Sequence, residues 1–151
     1  MATAPISLKG RALRLLSTRE HSRFELERKL SSFEEVPGEL AKALDELHLK
    51  GFINEQRVIE SVVNRRAAKL GVSRIKQELQ SKGLDREAVG EALAGLKDTE
   101  VARAREVWQR KFGEPALDAK ESAKQMRFLA SRGFSGEAIR KAMASASASD
   151  D

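Results

Sequence analysis

Residues 81–93 read "SKGLDREAVGEAL", and fifty positions later residues 131–143 read "SRGFSGEAIRKAM". Each begins with serine, a basic residue, glycine, a large apolar residue and a short polar residue. Each continues with glutamate, alanine and an apolar pair four positions apart. The phrase has a mechanical reading. A glycine just past a helix supplies the left-handed backbone that a C-terminal cap commonly requires, and Gly83 and Gly133 stand at that place. Asp85 and Ser135 then offer a side-chain oxygen to cap the next helix. Leu84 can pack on Val89, and Phe134 on Ile139, as hydrophobic staples that fix the approach of the second helix. Glu87 and Glu137 fall in its first turn, where the helix dipole favours them. Each phrase therefore predicts a helix, a tight corner and a second helix.

An eroded copy precedes these two. "ELERKL" (25–30) matches "RIKQEL" (74–79) in apolar spacing, and Leu40, Leu44 and Leu47 match Val89, Leu93 and Leu96. "SSFEEVPG" stands there in place of the glycine corner, with two extra residues. The period is about 49–50 residues, in the range of stacked helical repeats. β-branched residues are few, and the three prolines, Pro5, Pro37 and Pro115, fall near helix starts or in connections. Nine helices are expected, at about 7–17, 22–32, 37–50, 54–70, 73–82, 85–97, 99–112, 118–132 and 135–145. The predicted fold is all-α: three tandem three-helix repeats over residues 1–53, 54–97 and 98–145, forming an elongated, curved solenoid. The closing "SASASDD" is small and polar, so residues 146–151 are expected to be a disordered tail.

Composition excludes several kinds of chemistry. There is no cysteine and there are two histidines, His21 and His48, so disulfides, thiolate sites and His-rich metal sites are absent. No phosphate-binding glycine loop and no nucleophile–base pairing is present. No catalytic residue, metal or cofactor is therefore expected. "MATAPISLKG" lacks the apolar stretch of a signal peptide, and no run of about 18 apolar residues suits a membrane span. The simplest expectation is a soluble protein of a reducing compartment.

Charge points toward an anionic partner. Net charge is +5, and residues 54–97, with nine basic and six acidic side chains, carry +3 of it. No acidic residue occurs from Ser61 to Gln77, a window that holds Arg65, Arg66, Lys69, Arg74 and Lys76. Arg65 and Lys69 lie beside an apolar stripe of Ile59, Val63, Ala67 and Leu70. Lys82 flanks the glycine corner. The third unit adds Lys124, Arg127 and Arg132, diluted by Asp118, Glu121 and Glu137. These nine cations are the candidate partner-binding residues, and a merely solvated charged face is the alternative. Trp108 shares a helical stripe with Val101, Ala104 and Phe112, which marks it as the core anchor of the third unit rather than a stacking platform. Tyrosine is absent and the six phenylalanines sit at apolar-periodic or corner positions, so base stacking has little support. His21 suits a helix-start hydrogen bond, and His48 a helix dipole.

Three stretches together, "REHSRFELERKL" (19–30), "RIKQELQSKGLDREAVGEAL" (74–93) and "FLASRGFSGEAIRKAM" (128–143), resemble the repeat signatures of the RecX family of bacterial RecA regulators. "FINEQ" (52–56), leading to "NRRAAKLG", resembles the family's junction between its first two units. The resemblance runs from about Leu8 to Met143. Two departures from the family pattern occur: "VS" follows Gly71 in place of an aromatic and a glycine or proline, and Val58 stands where an aromatic is frequent. The resemblance implies a curved array of three-helix repeats, cytoplasmic and non-catalytic. It implies binding to RecA and to the groove of the RecA–DNA filament. Filament extension, ATP hydrolysis and strand exchange in recombination and the SOS response would then be modulated, most often inhibited. Some members bind DNA weakly, and a monomer is expected. A rival reading is a RecA-independent, helix-turn-helix-like DNA-binding module. The second helix of the corner, "REAVGEAL" (86–93), offers one arginine, two glutamates and mostly small apolar residues, which is poor chemistry for reading a groove. A plain helical adaptor for an acidic protein is a further rival.

Overall fold

A computed structural model describes residues 5–148. The described residues form nine α-helices and no strand: α1 Leu8–Thr18, α2 Arg23–Leu30, α3 Glu39–Leu49, α4 Glu55–Arg66, α5 Val72–Ser81, α6 Arg86–Lys97, α7 Glu100–Lys111, α8 Ala119–Ser131 and α9 Gly136–Ala148. A single 3-10 turn, Ser31–Phe33, extends α2. Side-chain caps begin six of the helices. Ser7, Ser22, Asn54, Asp85, Asp118 and Ser135 each accept a hydrogen bond from an amide of the first turn, which would otherwise lack a partner.

Three apolar cores follow one another along the chain. Leu26, Leu44 and Leu47 centre the first, Ile59, Ile75 and Leu79 the second, and Ala104, Trp108 and Leu129 the third. Helix-on-helix packing runs almost entirely within α1–α3, α4–α6 and α7–α9. The chain exposes 9799 Å², against roughly 7,600 Å² for a compact monomer of this mass. Separate cores in tandem produce that excess, and the architecture is an all-α array of three-helix units.

The glycine corners join the units as well as turning the chain. Gly83 has φ of 65° and Gly133 has φ of 91°, backbone that L side chains rarely adopt. The staples close behind them: Leu84 and Val89 share the second core, and Phe134 and Ile139 the third. Each corner also lies on the start of the second helix of the preceding unit. A Cβ on Gly83 would sit 2.7 Å from the Phe24 ring, and one on Gly133 would overlap Arg74. In the first unit the corner is the 3-10 turn followed by Gly38, and Glu34 Oε2 accepts from the Leu40 amide at 2.8 Å.

Two helix ends differ from the sequence expectation. α4 stops at Arg66 rather than near residue 70, because the amides of Lys69 and Leu70 both turn back to the Arg66 carbonyl. α9 continues through Ala148, into the stretch expected to be a tail, where alanine favours the helix. Residues 149–151, the rest of that stretch, lie outside the described residues.

Candidate functional site

The second seam, between α4–α6 and α7–α9, gathers four of the nine candidate cations. Arg66, Lys69, Arg74 and Arg132 line a recess of 520 Å³ together with Leu70, Gln77 and Glu78. Three of the four are held by specific partners. Arg66 donates to both carboxylate oxygens of Glu78, at 3.2 and 3.4 Å. Arg74 Nη1 donates to the Ser131 carbonyl at 2.8 Å. The Arg132 guanidinium lies 4.9 Å from the centre of the Phe128 ring, a cation–π distance. Lys69 follows the tight turn that ends α4 and is exposed. Four cations meet one carboxylate here, so the recess attracts anions.

Three residues without a local sequence signal build this seam. Arg103 on α7 donates to the carbonyls of Ala67 and Leu70 at 3.0 and 2.7 Å, and to that of Leu96 at 2.9 Å. Arg110 donates to the Ala68 carbonyl at 2.6 Å. They satisfy carbonyls freed where α4 ends early. Glu100, 7% exposed, accepts from the Val72 amide at the start of α5 and from the Ser135 amide at the start of α9, both at 3.3 Å. A carboxylate between two helix N-termini is favoured by both dipoles. Apart from Leu96, these partners lie 28 to 42 positions away in sequence, so no spacing rule reveals them.

The remaining candidates are dispersed. Lys76 lies on the other side of α5, at the rim of a larger cleft of 670 Å³. Arg65 is exposed on α4, with Nε 3.3 Å from the Ser61 carbonyl, and lines neither recess. Lys124 and Arg127 are exposed on α8 and also line neither. Lys82 departs from the expectation of a partner-facing cation. Its residue is 8% exposed and its Nζ lies 3.3 Å from Glu25 of the first unit. It belongs to the first seam, where Glu25 also takes Arg19 at 2.7 Å. Burial alone would raise the Glu25 carboxyl, but the Arg19 hydrogen bond, the Ser22 amide and Lys82 outweigh it and hold it at about 2.

The singular residues have structural roles. Trp108 is buried and donates Nε1–H to Gln125 Oε1 at 2.8 Å, and Gln125 in turn donates to the Glu114 carbonyl. His21 is buried beside the α2 cap, with Nδ1 3.0 Å from the Arg19 carbonyl and Nε2 3.2 Å from Lys29 Nζ. Burial lowers its pKa, which keeps the ring neutral, Nδ1–H donating and Nε2 accepting. Among the described residues no helix is long and apolar enough to cross a membrane, and no cluster of three potential metal ligands occurs.

Tandem helical units, corner-docked and carrying a basic seam, define a helical-repeat protein with an extended surface. Three family models cover the chain in order: the first three-helix domain of RecX matches residues 9–47, the second 54–93 and the third 98–143. The chain is 52% identical over 151 residues to the regulatory protein RecX of Herminiimonas arsenicoxydans, spanning 100% of both. It is 51% identical over 138 residues to that of Leptothrix cholodnii, covering 91% of this chain and 88% of the relative. The crystal structure of RecX from Lactobacillus salivarius superposes with a TM-score of 0.72 at 24% identity, covering 93% of this chain and 95% of that one. The chain belongs to the RecX family.

Proposed function

We propose that this protein is a non-catalytic regulator of RecA. It binds the RecA–DNA filament along its groove and restrains filament extension, ATP hydrolysis and strand exchange. The observation that carries the reading is the recess at the second seam, where Arg66, Lys69, Arg74 and Arg132 face one acidic side chain. A tandem array presents a long surface to a long groove, and cations already fixed by Glu78, Ser131 and Phe128 lose little freedom on meeting an acidic side chain or a phosphate. Many modest contacts then obstruct subunit addition or the movement that ATP turnover requires. The names of the relatives, regulatory protein RecX, support a regulatory role. We place the protein in the cytoplasm as a monomer, with at most weak binding to free DNA.

The test is the DNA-dependent ATPase of RecA with the purified protein added. Inhibition is expected, and it should weaken as salt rises, because the contacts are charge pairs. Reversals at Lys69 and Arg74 are expected to reduce filament binding by about tenfold each, in line with about 1–2 kcal/mol per lost charge contact. Arg65→Glu and Lys76→Glu should do less. A folded protein without effect on RecA at any ratio defeats the reading, and tight, sequence-specific binding to duplex DNA alone would favour the helix-turn-helix rival.

A further inference from the structure

α5 has a second face, and the cleft it borders is chemically unlike the basic recess. The cleft lies between α5, α6 and the corner of the third unit and encloses 670 Å³, a size typical of ligand sites. Its floor is apolar: Val72, Leu84, Val89 and Leu93 line it and are nearly buried. Its rim is basic: Lys76, Arg86 and Lys97 line it and are exposed. Acidic side chains are kept away. On α6 the lining positions fall at 86, 89, 90, 93, 94 and 97, one helical stripe, whereas Glu87 and Glu91 fall off it. On α5, Glu78 faces the opposite recess. Glu100 is the one carboxylate among the lining residues, and it is already engaged with the amides of Val72 and Ser135.

Gly90 sits in the middle of α6 on this stripe. A Cβ there would meet nothing within 4 Å, and its φ is not positive, so neither crowding nor backbone conformation in the fold calls for glycine. Glycine inside a helix costs about 1 kcal/mol relative to alanine. With Ala94 one turn on, it leaves the α6 backbone open to close approach along the apolar floor.

We propose that this cleft docks an amphipathic helix of a partner protein, its apolar side chains on the floor and its acidic side chains against Lys76, Arg86 and Lys97. Small residues at 90 and 94 let the two helix backbones come together, and the twelve residues of α6 give about 18 Å of contact, three turns of a docked helix. Charge complementarity selects the partner, since every free charged group lining the cleft is positive. The inference stands apart from the filament reading, whose recess lies across α5.

The experiment uses the full chain and two fluorescein-labelled helix-forming peptides of about 16 residues with leucine at i, i+3, i+4 and i+7. One carries glutamate at its polar positions and the other lysine. The acidic peptide is expected to bind at least tenfold more tightly and to shift the methyl resonances of Val89 and Leu93. Gly90→Gln fills open space on a helix, so thermal stability is expected to hold or rise while acidic-peptide affinity falls at least tenfold. Lys76→Glu with Lys97→Glu should abolish binding, whereas Lys124→Glu, exposed on α8 and lining neither recess, should change it less than twofold. Equal binding of the two peptides, or wild-type affinity in folded Gly90→Gln, overturns the proposal. Inhibition of RecA by Gly90→Gln is read separately, so absence of inhibition by the wild-type chain counts against the filament reading alone.

Discussion

At the first seam the carbonyl of Lys82, just past α5, accepts a hydrogen bond from a side chain, Ser22 Oγ at 2.6 Å. At the second seam the corresponding carbonyl, Arg132 just past α8, accepts from a backbone amide, Gly71 N–H at 2.8 Å. Both donors stand at the N-cap of the second helix of the preceding unit. Around that shared contact the seams diverge. The first is completed by charged side chains, Glu25 with Arg19 and Lys82, and Arg57 with Glu20 at 2.9 Å. The second adds a further backbone bond, Ser73 N–H to the Gly133 carbonyl at 3.2 Å, and side chains that grip main-chain groups. One corner motif thus supports two kinds of joint, one that depends on charge and one that depends on the close approach of two backbones. The second, being fixed by main chain, is the more rigid support for the cations of the proposed binding recess.

Glycine substitutions break the comparison most directly. A Cβ on Gly71 would overlap the Gly133 carbonyl and the Phe134 amide, and neither can swing aside as a side chain can. Gly71→Ala is therefore expected to cost about 3 kcal/mol or more, at the upper end for overpacking. A Cβ on Gly83 would lie 2.7 Å from Phe24 Cγ and 2.8 Å from its Cβ, side-chain atoms of a half-exposed residue rather than partner backbone, so Gly83→Ala, with its left-handed backbone cost included, is expected to cost less, about 2 kcal/mol. Urea unfolding of both variants measures the order, and equal losses would remove the distinction between the joints.

Carboxylate substitutions come next. Glu100→Ala leaves the amides of Val72 and Ser135 without partners and is expected to cost about 2 kcal/mol. Glu100→Gln keeps an acceptor and should recover most of that loss, leaving a dipole effect of about 0.5–1 kcal/mol. At the first seam the isostere should not rescue, because Glu25→Gln leaves Arg19 and the nearly buried Lys82 without a counter-charge. If Glu25→Gln proves as mild as Glu100→Gln, the first seam does not depend on charge.

The corners were legible in the sequence because their parts are local. Gly83, Asp85 and the Leu84–Val89 pair lie within seven residues, and spacing alone exposes a cap and a staple. The seams were not legible in that way. Lys82 reads from sequence as a free cation beside a corner, since Glu25 lies 57 positions away. Glu100 and Arg103 look like ordinary polar residues at the start of a helix, and only the stacking of units sets them against Val72, Ala67 and Leu70. The cation-rich window from Ser61 to Gln77 was visible, but α5 divides it, sending Arg74 to one recess and Lys76 to the other. Helical periodicity assigns residues to faces; which faces stay open is decided by the next unit.

The smallest expected effect is the response of the first seam to acid. His21 is held below its ordinary value of 6.5, chiefly by burial, so the folded chain prefers the neutral ring more than the unfolded chain does. Its contribution is present above pH 6.5 and declines as pH falls below it, because the unfolded chain then takes up the proton more readily. Protonation also removes the lone pair that Lys29 Nζ donates to and sets two cations 3.2 Å apart. Glu25 acts in the same direction at lower pH. Its carboxyl lies at about 2 against an ordinary 4.5, so its contribution is present above pH 4.5 and is lost between pH 4.5 and 2. With Arg19 a third exposed, solvent screening reduces that contribution to about 1 kcal/mol. Thermal unfolding followed from pH 7.5 downward should show a shallow decline below 6.5 and a second below 4.5. Glu25→Gln should shrink the second and leave the first; the part that remains is the exposed Glu137, held below its ordinary value by the Lys141 hydrogen bond. Stability that rises on acidification, or a lower limb undiminished in Glu25→Gln, would place the acid response elsewhere than in the charged joint.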